Sequence, residues 1–362
     1  MENQHITYFG IENFKRFDKF EMKNLGQFNL IVGDNNIGKT TILESLCISD
    51  TVETTLANLF STYHMRRMHT YKEFSSKEIG KSYFWYFIFK NLEAPLSFFF
   101  TEDRKNKIIL RIHDTIDVIR DFPKFEEENY INDANQLLHQ TSFINDEVVY
   151  NQFRGAYFET STVGFAIPLV PANSSYDNSL PIIFYNFFNS SKKLRKEVEN
   201  CLRIFIPEID DIRVHKFFTE QESLCITLKN DDAIFPISQF GDGTVKLTRL
   251  LLELIINQNG RLMVDEIGAG IHYLRLKDYW KIILQLCRKY NVQLFATTHS
   301  LECQQAFVEA LGYEDAYVNM KELQGGARNV TLLETKGGAV KSVTYDFEQF
   351  ENALNIGFNT RG

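Results

Sequence analysis

Gly33-Asp34-Asn35-Asn36-Ile37-Gly38-Lys39-Thr40 has the G-x-x-x-x-G-K-[ST] spacing of a phosphate-binding loop. Glycine lets backbone N–H groups close on a phosphate, and a helix that follows turns its positive end toward the same anion. On that pattern Gly33, Asn35, Asn36, Gly38, Lys39, Thr40 and Thr41 form a nucleotide cradle. Lys39 is expected to reach the β- and γ-phosphates, and Thr40 to offer its hydroxyl to Mg²⁺. Further on, Leu262-Met263-Val264-Asp265-Glu266 is an apolar run ending in two acids. Adjacent carboxylates repel unless a cation or a substrate needs them. Asp265 is expected behind the Mg²⁺, with Glu266 as the general base for an attacking water. Thr297-Thr298-His299-Ser300 ends another apolar run one helix and one strand later, where His299 can contact a γ-phosphate. Ser238-Gln239-Phe240-Gly241-Asp242-Gly243-Thr244 places glycines at a helix start, a further anion-friendly geometry that alone would count only as an ordinary cap.

These residues need elements to position them. Segments 6–11 and 19–22 read as strands leading to a buried strand at 28–32, and a helix is predicted from 41 toward 59. Segments 96–100 and 108–112, joined by Arg104-Lys105-Asn106-Lys107, read as a β-hairpin. The acidic stretch 122–139 suggests a loop with a short helix. A helix at 194–205 and a strand at 224–228, turning at Asn230-Asp231-Asp232, come next. From Thr244 the pattern alternates: amphipathic helix 245–256, strand 262–264, helix 274–290, strand 292–296. That alternation predicts an α/β fold whose parallel or mixed sheet is flanked by helices. A strand at 340–346 and a helix close the chain. The expected organisation is a single domain, 1–362, with a phosphate-loop lobe (1–59), an antiparallel β-lobe with a helical insertion (60–235), and a lobe carrying the Gly-rich helix start, the acids and the histidine (236–362).

Composition narrows the function classes. The chain has 362 residues, is 44% hydrophobic and 24% charged, and carries a net charge of −8. That balance argues against coating nucleic acid by charge alone, although His64-Met65-Arg66-Arg67-Met68-His69 and Lys192-Lys193-Leu194-Arg195-Lys196 are local basic clusters that leave a DNA contact open. Cys47, Cys201, Cys225, Cys287 and Cys303 form no C-x-x-C pair, which suits a reducing compartment. No signal-like stretch opens the chain, and the most apolar run, Tyr83-Phe84-Trp85-Tyr86-Phe87-Ile88-Phe89, is too short to span a bilayer. A cytoplasmic protein is expected. The Phe-rich 83–100 region is either a packed β-lobe or an aromatic partner surface.

The order of these motifs resembles the ABC-type ATPase clan that includes the SMC, RecF and OLD families. Ile11-Glu12-Asn13-Phe14-Lys15-Arg16-Phe17 is similar to the clan's I-x-N-F-[KR]-x-[FY] opening. Gly33-Asp34-Asn35-Asn36 resembles OLD-type loops, Asp265-Glu266-Ile267-Gly268-Ala269-Gly270-Ile271-His272 their D-E-I-x-x-G-[LI]-H segment, and Thr298-His299-Ser300-Leu301-Glu302 their T-H-S-x-E. The resemblance implies an ABC-type head, ATP and Mg²⁺ as ligands, and a Lys15 that approaches the phosphates. It also implies a homodimer or larger oligomer in which ATP is sandwiched between the phosphate loop of one head and Gly241, Asp242, Gly243 and Thr244 of the other. The signature serine of transporter-type relatives aligns with Gly241, so Asp242 and the Gly243 backbone must take its part, with the Asp242 side chain turned away or paired with a cation.

OLD-type nucleases continue into a TOPRIM nuclease domain, and the stretch after His299 contains no Asp-x-Asp pair. The resemblance therefore implies an ATPase without its own nuclease site, working with a separately encoded effector, a nuclease or toxin, in bacterial anti-phage defence. Two alternatives stay open from the sequence: a RecF- or SMC-like DNA-maintenance ATPase, and a nucleotide-bound scaffold with little turnover.

Overall fold

The computed structural model describes residues 5–65, 87–114, 136–155, 168–172, 179–217, 222–229 and 231–356. They fall into two compact units, one built from Met1–Leu25, Asn35–Val163 and Leu332–Thr344, the other from Gly26–Asp34, Gly164–Thr331 and Tyr345–Gly362. One passage of the chain between them, Asp34 to Asn35, lies inside the phosphate-loop motif.

The first unit is built on an antiparallel sheet in the order β2-β1-β4-β5-β6-β7. Its strands are β1 (Phe9–Phe14), β2 (Phe17–Met22), β4 (Leu96–Phe99), β5 (Lys107–Asp114), β6 (Gln136–Ile144) and β7 (Glu147–Gly155). The expected hairpin is β4 and β5, paired from Leu96↔Leu110 to Phe99↔Lys107. Its aromatic residues face inward: Phe9, Phe14, Phe89 and Phe98 are buried, with the Phe14 and Phe98 rings 5.9 Å apart edge to face. Within the described part of the 83–100 region, the packed β-lobe is therefore what the sequence builds; 83–86 lie outside the described residues.

Two expectations fail in this unit. The single helix predicted over 41–59 is two helices, α1 (Lys39–Ser45) and α2 (Val52–Met65). Ser49-Asp50-Thr51 interrupts it, because short polar side chains compete for the backbone. The Thr55 hydroxyl donates to the Ser49 carbonyl (3.0 Å), and the Thr51 hydroxyl accepts the Thr54 N–H (3.3 Å), starting a new helix. At 122–139 the last residues are not a polar loop or helix but the beginning of β6, paired along its length with β5; the remainder lies outside the described residues. The 66–69 part of the first basic cluster lies outside them too.

The second unit is built on parallel pairs in the order β14-β3-β13-β12-β8. These are β3 (Phe28–Val32), β8 (Leu169–Val170), β12 (Arg261–Val264), β13 (Gln293–Thr297) and the first part of β14 (Ala327–Glu334), which runs on and turns back into β15 (Val340–Tyr345). A separate antiparallel sheet holds β9 (Ile209–Lys216), β10 (Glu222–Leu228) and β11 (Asp231–Pro236), so Asp231 and Asp232 begin a strand rather than a turn. The helices of this unit are α3 (Leu180–Phe188), α4 (Lys192–Leu202), α5 (Asp242–Ile256), α6 (Leu276–Lys289), α7 (Leu301–Leu311) and α8 (Phe347–Asn355). Its core joins β3, β12 and β13 to these helices through Leu30, Val264, Leu294, Leu251, Trp280 and Phe307, among others. Apolar strands buried on both faces are the pattern of a parallel sheet covered by helices.

α5 departs from the expected amphipathic helix. Every residue from Gly243 to Ile255 is buried, so its charges are satisfied inside: Arg249 pairs with Glu253 at 2.6 Å, and the Lys246 ammonium reaches backbone carbonyls. Among the described residues no helix is long and apolar enough to cross a membrane.

The thiols in these cores are chemically quiet. Burial pushes Cys201, Cys225 and Cys303 each up to about 11, and Cys287 higher still. At pH 8 such a group is thiolate in only about one molecule in a thousand. Ellman's reagent added to the native protein at pH 8 should label these four cysteines far more slowly than after unfolding in guanidinium, when they should react within seconds.

Candidate functional site

Parallel pairing brings three strand ends level. In the second unit β13 lies between β3 and β12, with Ile31 opposite Thr297 and Val264 opposite Ala296. The C-terminal ends of these strands therefore deliver Gly33, Asp265-Glu266 and Thr298-His299 to one edge, where open α/β sheets bind ligands. The histidine-bearing strand is the direct neighbour of the acid-bearing one, as its spacing in sequence allowed.

One hydroxyl organises the two acids. Thr297 donates to Asp265 Oδ1 at 2.6 Å and accepts the Glu266 N–H at 2.8 Å. Asp265 is buried, and its own N–H is held by the Val170 carbonyl at 2.8 Å. Glu266 has a positive φ of 46°, a left-handed conformation that non-glycine residues adopt at a cost of about 1–2 kcal/mol. Its backbone is fully engaged there: the N–H on Thr297, the carbonyl accepting the Ala269 N–H at 2.8 Å and the Lys246 ammonium at 2.5 Å. The side chain is thereby turned onto His299, whose Nδ1 lies 2.7 Å from Glu266 Oε2 and whose backbone N–H donates to the same oxygen at 3.3 Å. A carboxylate oxygen only accepts, so Nδ1 carries the proton in this pair.

Lys246 is a residue the motif reading missed. Its ammonium also donates to the carbonyls of Asp265 (3.0 Å) and Ala172 (3.2 Å). Burial pushes it down to about 8, opposed by the nearby Asp265 and Glu266, so it still carries its charge at neutral pH. The sequence signal was a lysine inside Val245-Lys246-Leu247, an apolar stretch where a charge must find partners.

The Gly-rich helix start sits in the same unit. Gly241 has φ 88° and is exposed, and Asp242 is exposed in the first turn of α5, where the helix dipole favours an acid. Thr244 turns inward, its hydroxyl donating to the Phe240 carbonyl at 2.9 Å. Gly243 packs on Gly270, which follows the acids: a Cβ added at Gly243 would lie 2.4 Å from the Gly270 carbonyl oxygen.

In the first unit, Gly38 caps α1 with φ 110° and Asn36 has φ 65°. Lys39 and Thr41 are buried and Thr40 is half-buried. Two residues of the Lys15-Arg16-Phe17 turn shape the loop. Arg16 donates to the Asn36 carbonyl, and the Phe17 ring leaves no room for a side chain at Gly38. Lys15 has partners of its own: its ammonium is ion-paired with the buried Glu44 at 2.7 Å and lies 3.8 Å from the centre of the Phe87 ring. The motif position of Lys15 carries no information about this carboxylate on α1.

Known proteins resemble this chain in sequence and in fold. The family described as "AAA domain, putative AbiEii toxin, Type IV TA system" matches residues 28–302. An "ATP/GTP phosphatase" of Helicobacter pylori is 24% identical over 333 residues, covering 83% of this chain and 86% of its own length. Among solved structures, an SMC head bound to the C-terminal winged-helix domain of ScpA superposes with a TM-score of 0.51 at 12% identity, over 96% of this chain and all of that one. That likeness concerns the fold.

The close contact of Gly243 with Gly270 gives a test of this geometry. Gly243→Ala gains about 1 kcal/mol of helix propensity, but overpacking against a backbone oxygen costs about 1–3 kcal/mol. Thermal unfolding should show a lowered midpoint, where an unobstructed helical glycine would give a raised one.

Proposed function

This chain belongs to the AAA-domain family of AbiEii type and has an ABC-type ATPase fold, and from that premise we propose that it is an ATP-hydrolysing switch that assembles around ATP and controls a separate effector in anti-phage defence. The observation that carries the reading is the single sheet edge where Gly33, Asp265, Glu266 and His299 meet, with Glu266 and His299 in a 2.7 Å pair.

Each residue has a role in that reading. Gly33, Asn35, Asn36, Gly38, Lys39, Thr40 and Thr41 hold the phosphates, Lys39 supplying the charge that a γ-phosphate needs. The Thr40 hydroxyl and the Asp265 carboxylate are hard oxygen donors of the kind Mg²⁺ takes, and a bound Mg²⁺ would neutralise phosphate charge. Glu266 takes the proton of the attacking water, and His299 orients that carboxylate and contacts the γ-phosphate side. Lys15 leaves Glu44 to approach phosphate when nucleotide binds. The name of the Helicobacter relative supports nucleotide hydrolysis.

The exposed Gly241 and Asp242 support assembly, because the helix start they form is open to a nucleotide carried by a second copy. The naming of a toxin–antitoxin system in the family description supports a partner protein, a nuclease or toxin, as the output.

Two variants separate switch from scaffold. Glu266→Gln should lower kcat for ATP hydrolysis by about 10²–10⁴-fold and accumulate an ATP-bound oligomer in light scattering, as loss of a general base implies. Equal turnover in wild type and variant would remove Glu266 from that role. Lys39→Ala should weaken ATP binding in calorimetry by about 10–100-fold, the loss of one charged phosphate contact. Co-purification of the product of an adjacent gene would support the effector, whereas phage protection by this chain alone would exclude it.

A further inference from the structure

α5 begins at the Gly-rich segment, and four residues into it a buried lysine reaches back to the acids at the end of β12. The Lys246 side chain is 2% exposed, and its three hydrogen bonds all go to backbone carbonyls: Ala172, Asp265 and Glu266. An ammonium has three donors, so this set uses its full capacity. Stability alone is a poor reason to bury it, since replacing a buried charge by an apolar group of similar volume is often neutral or favourable. What the charge does accomplish is local. It takes the carbonyls of two successive residues, and the second of these is Glu266, held at φ 46°. A left-handed residue persists only where its surroundings over-determine it. Thr297 fixes the N–H side of Glu266, and Lys246 with the Ala269 N–H fixes the carbonyl side. Relaxation of that peptide to an ordinary φ would swing the carboxylate off His299 Nδ1.

We propose that Lys246 is a positioning residue for ATP hydrolysis: from the helix that starts at the Gly-rich segment, it clamps the Asp265-Glu266 backbone so that the Glu266 carboxylate points where a water must be activated. The lysine acts through the backbone, since its three ammonium donors are taken by carbonyls. The proposal rests on Glu266 being the base, and it adds a physical line from Gly241–Thr244 to that base within one chain. It differs from a core role in what it predicts for binding. Asp265 keeps its own anchors, the Thr297 hydroxyl and the Val170 carbonyl, so a loosened Glu266 should slow chemistry and leave ATP affinity alone.

The experiment compares wild type, Lys246→Met, Lys246→Gln and Glu266→Gln in steady-state ATP hydrolysis, ATP calorimetry and thermal unfolding. Lys246→Met keeps the bulk and loses the donors. It should lower kcat by about 10–100-fold, the penalty for misplacing a catalytic group by an ångström, while KM and the ATP affinity stay within about threefold. Lys246→Gln keeps an N–H donor on a shorter stem and should fall between wild type and Lys246→Met. Wild-type kcat in folded Lys246→Met overturns the proposal. So does a parallel loss of ATP binding and turnover, or loss of folding in both Lys246 variants, since each assigns the lysine to the core alone. If Glu266→Gln is inactive while Lys246→Met is not, only the clamp falls. If Glu266→Gln hydrolyses ATP like wild type, the base assignment falls and the clamp with it.

Discussion

The register of three parallel strands is the constraint on which the site depends. Parallel neighbours end on the same side of a sheet, so whatever follows their last residues is gathered without further instruction. Here Ile31 opposite Thr297 and Val264 opposite Ala296 align the ends of β3, β13 and β12 to within a residue or two. A shift of one residue at β12 would turn Val264 and its neighbours to the opposite faces and carry Asp265 away from Thr297. The strands are packed on both faces, so such a slip would force the layers on both sides to repack.

On that frame the finer geometry is set by groups that do no chemistry. Thr297 Oγ1 serves Asp265 and Glu266 with one donor and one acceptor, which a serine could imitate but a valine of the same shape could not. Tyr279 ties the following segment to α6 and Trp280 ties α7 to it, their polar atoms donating to the Ile267 and Cys303 carbonyls at 3.0 and 3.1 Å. Gly268 is tied to the same layer, since a Cβ there would stand 2.8 Å from Cys303 Sγ. The acids therefore sit on a packed floor rather than at the tip of a free loop.

Much of this could be read from the chain and some could not, for identifiable reasons. Strands β3, β12 and β13 were legible because short apolar runs bounded by polar residues have few other solutions, and the phosphate loop because its spacing encodes a mechanism. The break between α1 and α2 was missed because apolar periodicity continues across Ser49-Asp50-Thr51 while the hydroxyls do not. β9 and β14 were missed because mixed polar and apolar residues such as Ile209-Asp210-Asp211-Ile212 give a weak alternation that only pairing partners complete. The burial of α5 on every side was hidden by its own charges: Lys246, Arg249 and Glu253 look like a solvent face until their partners are seen. The ion pair of Lys15 was not legible, because the carboxylate it meets, Glu44, lies on a different element.

The contact between Gly243 and Gly270 has a mechanical meaning. Most packed surfaces absorb small displacements because side chains change rotamer and take up a few tenths of an ångström. Two glycine backbones in touch have no such cushion. A push on the exposed start of α5 would reach the segment behind the acids undamped, as through a hinge pin rather than a spring. Absence of side chains, usually read as permission for flexibility, here makes the joint stiff.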